Sequence, residues 1–155
     1  MKKFSASITL ITALAVVAFA AATTNLNKAV NGQIALSTEP VEYAGVVHAV
    51  TQVKGNSCAP VDPCRVFVNL AGVNGVGVTS GGVYQFVGAA SADLVTSLPG
   101  DVSVVVRGFR AVPPNPISPT DPCRLRVRLA LDGEGVATLM EAELQPESCG
   151  VDTCP

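Results

Sequence analysis

Hydrophobic and polar positions alternate along two stretches that share an opening. Asp62-Pro63-Cys64-Arg65 is followed by Val66, Val68 and Leu70 at every second position; Asp121-Pro122-Cys123-Arg124 is followed by Leu125, Val127 and Leu129. A period of two puts the aliphatic set on one face of a strand and Arg65, or Arg124, Arg126 and Arg128, on the other. Proline fixes φ and removes a donor, so each Asp-Pro reads as a turn just ahead of a ladder. The pattern predicts two equivalent strands with a shared interior.

Further strands follow from the same reading. Residues 42–53 are apolar on both faces, with Val46, His48 and Val50 on one and Val47 and Ala49 on the other, which suits a strand inside a closed or stacked sheet. Residues 33–36 suggest a short edge strand. Residues 82–87 form another strand, on which Tyr84 and Phe86 share a face, and 101–111 a further one rich in valine. Asp132-Gly133 is a two-residue hairpin signal joining 124–131 to 136–144. That register sets Leu129 opposite Val136, Val127 opposite Thr138, Leu125 opposite Met140 and Arg124 opposite Glu141. Residues 91–98 predict a helix: Ser91 is a cap, Leu94, Val95 and Leu98 share one side, and Pro99-Gly100 ends it. It is two turns long, so packing must hold it. The glycine-rich run 72–82 has no lysine or following helix, so it reads as turns or a bulge, not a phosphate loop. Pro113, Pro114, Pro116 and Pro119 stiffen an exposed loop at 112–122.

The order strand, strand, strand, short helix 91–98, strand, strand resembles that of small exported bacterial OB-fold-like proteins, over roughly residues 42–131. The resemblance implies a barrel plugged by the helix, with a ligand face whose aromatics here are Phe67, Tyr84 and Phe86. The expected fold is therefore all-β with one short helix, a small OB-like Greek-key barrel. A two-sheet β-sandwich is the alternative that the same strands allow.

Export changes the picture. Lys2 and Lys3, the apolar run 8–18 and the small-x-small sites Ala18-Phe19-Ala20 and Ala20-Ala21-Ala22 predict a cleaved signal peptide over 1–22. A flexible lead-in is expected over 23–40, one β domain over 41–145 and a cysteine-containing tail over 146–155. The predicted location is secreted or periplasmic, without stable membrane insertion after cleavage, and disulfides are permitted there. Lys and Arg number ten, two of them in the signal, against twelve Asp and Glu, so the mature chain is mildly acidic. That composition disfavours nucleic-acid binding, which needs phosphate neutralisation.

Candidate chemistry is sparse. There are five cysteines. Cys58 and Cys64 bracket one loop and Cys149 and Cys154 another. Those local pairs leave Cys123 over, while the duplicated entries offer Cys64–Cys123 as a rival pairing. An odd thiol either bridges two molecules or lies buried and free. One histidine and no Cys-x-x-Cys argue against a zinc site, and no cofactor is expected. Arg124, Arg126 and Arg128, with Arg107 and Arg110 nearby, form a possible anion-binding face. The rival reading is charge balance against Glu141 and Glu143. His48 has no nucleophile or carboxylate at a catalytic spacing, so no enzyme is expected. The sequence thus points to an exported binding module for an unknown protein or acidic glycan. It would recognise its ligand by the arginine face or by the loops 72–82 and 112–122. The alternative is a structural or assembly subunit of the cell surface or extracellular matrix, cross-linked through the odd cysteine.

Overall fold

The computed structural model describes residues 21–55 and 57–147. It holds eight strands: β1 (Ala22–Ala35), β2 (Pro40–Val53), β3 (Cys64–Gly77), β4 (Val83–Val87), β5 (Ala89–Leu94), β6 (Gly100–Val112), β7 (Asp121–Leu131) and β8 (Ala137–Pro146). They form one antiparallel sheet in the order β1-β2-β3-β4-β6-β7-β8, with β5 on β3. β4 and β5 are two halves of one bent pass. Asn74–Val76 of β3 pair with β4, and Cys64–Asn69 pair with β5. The bend falls at Gly88, whose φ of 126° excludes most side chains. The expected small all-β barrel is present and nearly closed. Its path is an up-and-down meander, with no Greek-key crossover in the sheet and no helix among the described residues.

Seven antiparallel passes leave the first and last strands pointing the same way. No ladder joins β1 to β8, and side chains bridge the seam instead. The Ala137 N–H donates to Thr24 Oγ1 at 3.3 Å. Further along, the Tyr43 ring crosses β1 over Gly32, and its hydroxyl oxygen accepts the Leu144 N–H at 3.2 Å. A Cβ on Gly32 would lie 2.7 Å from that oxygen, so glycine is what lets the ring through.

The duplicated stretches do share the interior. Val66, Val68 and Leu70 of β3 and Leu125, Val127 and Leu129 of β7 are all buried. Tyr43 packs edge-on against Phe86, with ring centroids 6.0 Å apart.

Three expectations are corrected. Residues 91–98 are not a helix: 89–94 form β5, with Ala90, Ala92 and Leu94 turned inward and Phe67 opposite Ser91. A two-turn helix has little stability of its own, whereas β3 offers this segment a ladder. Beyond β5, Thr96 exchanges two backbone hydrogen bonds with Cys58.

The polar stretch read as a lead-in is β1, paired with β2 from Ala22↔Val53 to Ala35↔Pro40. Asn25, Asn27 and Asn31 are exposed on its outer face while Val30 and Ile34 are buried, and Lys28 among the inward positions masks the alternation. The signal segment 1–20 lies outside the described residues.

The β7–β8 hairpin has a longer loop and another register. The Asp132 carboxylate accepts the N–H groups of Glu134 and Val136, each at 2.9 Å, and the Asp132 N–H donates to the Val136 carbonyl. Leu129 therefore faces Leu139, Arg128 faces Glu141, Leu125 faces Leu144 and Arg124 faces Gln145.

Candidate functional site

The meander sends alternate loops to opposite ends of the barrel. The turns 36–39, 78–82 and 113–120 gather at one end. The loops 54–63, 95–99 and 132–136 gather at the other. Of the glycine-rich run read as turns, 72–77 belongs to β3 and only 78–82 is a turn; that turn and the proline loop are brought to the same end although they belong to different hairpins.

This end is braced by one carboxylate. Glu39 Oε2 accepts the backbone N–H groups of Thr79 and Ser80, both at 2.9 Å. Its Oε1 accepts the Ser80 hydroxyl at 2.5 Å and the Tyr84 hydroxyl at 3.0 Å. The Ser80 hydroxyl, then the Ser80 and Thr79 amides and the Tyr84 hydroxyl, outweigh desolvation and hold Glu39 at about 2. A Cβ on Gly77 would collide with this carboxylate, and Gly81, at φ 67°, supplies the left-handed corner of the turn. Nothing in the sequence marked Glu39, because its donors lie about forty residues further along the chain.

The proline loop rests on the braced turn. Pro114 Cγ lies 2.5 Å from where a Cβ on Gly82 would sit. Asn115 folds the tip: its side-chain oxygen accepts the Ile117 N–H at 3.1 Å and its carbonyl the Ser118 N–H at 3.0 Å. Ile117 is 90% exposed at the apex, and Val76, Val78 and Val83 are exposed on the neighbouring hairpin. Residues 113–120 carry no formal charge. The result is a stiff, neutral, aliphatic surface.

A second concave site lies on the outer wall of β2, β3 and β5. It is an open cleft of about 490 Å³ lined by His48, Val50, Phe67, Asn69, Ala89 and Ser91 among others. Register builds it: Asn27, His48, Asn69 and Ala89 form one row across four strands, and Val50, Phe67 and Ser91 form the next. His48 Nδ1 and Asn27 Oδ1 are 2.6 Å apart, which fixes the ring. Its lining includes no carboxylate that could partner His48 in acid–base chemistry. Phe67, 37% exposed, is the aromatic the cleft offers; Tyr84 and Phe86 face the core and are buried.

The arginines occupy β6 and β7. Arg128 lies 3.1 Å from Asp101 and 3.7 Å from Glu141, and Arg107 pairs with Glu147. Arg126 faces Glu143 in the register, and Arg110 donates to Thr120 at 3.4 Å. Arg124, expected in the exposed stripe, is 3% exposed between Arg107 and Gln145 in the ladder. Acids from both adjoining strands thus hold the centre of the stripe.

Cys58 and Cys64 form a disulfide with Cα atoms 4.9 Å apart. Cys64 and Cys123 enter the barrel at opposite ends, so the rival pairing is excluded. Cys123 is a buried free thiol, pushed up to about 12 by burial and then by the charges of Glu147 and Asp121. Cys149 and Cys154 lie outside the described residues. No cluster of three metal-ligating side chains occurs among the described residues. No protein-family model, curated protein or solved structure matches the chain.

Proposed function

We propose that the chain is an exported, non-enzymatic interaction module that engages a protein partner through the barrel end formed by 78–82 and 113–120. The observation that carries this reading is the junction of the two loops, with Pro114 on Gly82 and the turn beneath it held by Glu39. A surface stiffened before contact loses little entropy on binding. Its exposed side chains, Ile117, Val78 and Val83, suit an apolar partner surface. An acidic glycan is a poorer match, since Arg107 and Arg128 already hold carboxylates. The Cys58–Cys64 bridge is consistent with an oxidising, extracytoplasmic compartment.

The test is a photo-crosslinking amino acid placed at position 117 and, as control, at position 61 in the full chain. Val61 is 94% exposed at the opposite end of the barrel. Adducts from 117 and not from 61 are expected. Equal adducts from both positions, or none from 117, would overturn the reading.

A further inference from the structure

We infer that the partner seated by the proline loop is a second copy of this chain, whose outer-wall cleft around Phe67 receives Ile117 and the flanking prolines. This rests on the proposed role of the loop end and names its occupant.

The two surfaces match in three respects. Both lack formal charge: residues 113–120 contain no ionisable side chain, and the cleft lining contains none except His48. Neither side therefore strips a charged group of water on contact.

Hydrogen-bonding character is also complementary. Pro113, Pro114, Pro116 and Pro119 offer carbonyl acceptors without N–H donors. The cleft offers donors. Asn69 uses its side-chain oxygen on the Ala71 N–H at 2.8 Å, which leaves its NH₂ group as a donor, and Ser91 adds an exposed hydroxyl.

Shape is the third. A proline-rich segment docks well against an exposed aromatic ring because little freedom is lost. Here the Asn115 turn already presents Ile117, and Phe67, Val50 and Ala89 line the receiving face.

One copy cannot satisfy both surfaces itself. The cleft row at Asn69 lies eight residues along β3 from Gly77, on the order of 25 Å from the loop end. The loop is meanwhile anchored at that end on Gly82. The contact therefore joins the loop of each molecule to the cleft of a neighbour, two different surfaces. Such an interface propagates into a chain of subunits unless its rotation closes a ring. A contact this small is weak for a single pair and gains from repetition.

The experiment uses the full mature chain at high concentration. The crosslinker at 117 is expected to give a homodimer whose adduct maps to 48–50, 67–69 or 89–91 of the second copy. Sedimentation is expected to show mass rising with concentration for the unaltered protein, and Ile117→Asp or Phe67→Ser alone to remain monomeric. Mixing those two variants should restore a dimer that stops at two subunits, because one keeps the cleft and the other the loop. Ile117 is 90% exposed, so Ile117→Asp should leave the thermal transition nearly unchanged; Phe67 is 37% exposed, so Phe67→Ser should lower the transition while leaving the protein folded at the assay temperature. A strict monomer at every concentration, an adduct elsewhere on the second copy, or a mixture that fails to pair would overturn the inference. If position 117 then still crosslinks a different protein, the interaction module stands and only its occupant was wrong.

Discussion

Asp-Pro-Cys-Arg opens β3 at one end of the barrel and β7 at the other, and the same four residues do different work in the two places. β3 and β7 are separated by two intervening passes, so they run in opposite directions. At the β3 entry, Cys58 is tied to Thr96 by backbone hydrogen bonds and meets Cys64 in a disulfide. At the β7 entry the preceding loop contains no cysteine, and Cys123 is sealed as a thiol. Arg65 stands in solvent 3.1 Å from Asp93, with both side chains more than half exposed. Arg124, the matching residue, is buried. Local sequence specifies the turn and the alternation. The surroundings decide whether the cysteine is cross-linked and whether the arginine meets water.

The largest contrast is expected at the cysteines. Replacing Cys58 and Cys64 together by Ser should cost about 2–4 kcal/mol, read from the denaturant midpoint. Cys123→Ala, which removes one buried sulfur, should cost about 1 kcal/mol. Equal losses would mean that the thiol is as structural as the bridge.

The arginines should differ by less. Arg124→Ala removes a buried stem and head and is expected to cost about 2 kcal/mol. Arg65→Ala breaks an exposed pair worth about 0.2–1 kcal/mol, and added salt should reduce that difference further. A larger effect at Arg65 would reverse the comparison.

Cys123 also gives a chemical signature. Its folded value of about 12 exceeds the ordinary 9.0, so folding favours the protonated thiol. Its contribution to stability is full below about pH 9 and declines as pH rises toward 12. At pH 8 the peptide carrying Cys123 should resist alkylation in the folded protein and react in denaturant, as read by mass mapping. Rapid labelling in the folded state would contradict the burial.

The smallest effect separates the two ends by pH. Glu39 is lowered from 4.5 to about 2, so its bracing is complete above about pH 4.5 and is lost as pH falls through about 2. Protection of the Thr79 and Ser80 amides against hydrogen exchange, taken relative to the intrinsic rate at each pH, should fall across that window. The Cys58 and Thr96 amides should instead respond to reductant. A protection factor at Thr79 that is unchanged by acid would show that the turn does not need the carboxylate.

Much of the barrel was legible. Valine and leucine at every second position in β3 and β7 leave one arrangement that hides them, and the structure adopts it. β1, apart from its end at 33–35, and β5 were not legible, for one physical reason. Their inward positions carry Lys28, Ala90 and Ala92, residues too polar or too small to mark a face, and only the ladder of a neighbour makes them strands. The candidate site was half legible. Prolines and glycines announced two exposed loops, but not that they meet or that Glu39 holds one of them.

By itself the sequence determined which segments alternate, where the chain must turn and which side chains seek the interior, because those properties depend on neighbours a few residues away. The number of passes, and therefore which loops share an end, which cysteines can meet and how β8 approaches β1, was decided in three dimensions. Those outcomes depend on strand pairing between residues tens of positions apart, and a shift of one pass would exchange the two ends of the barrel.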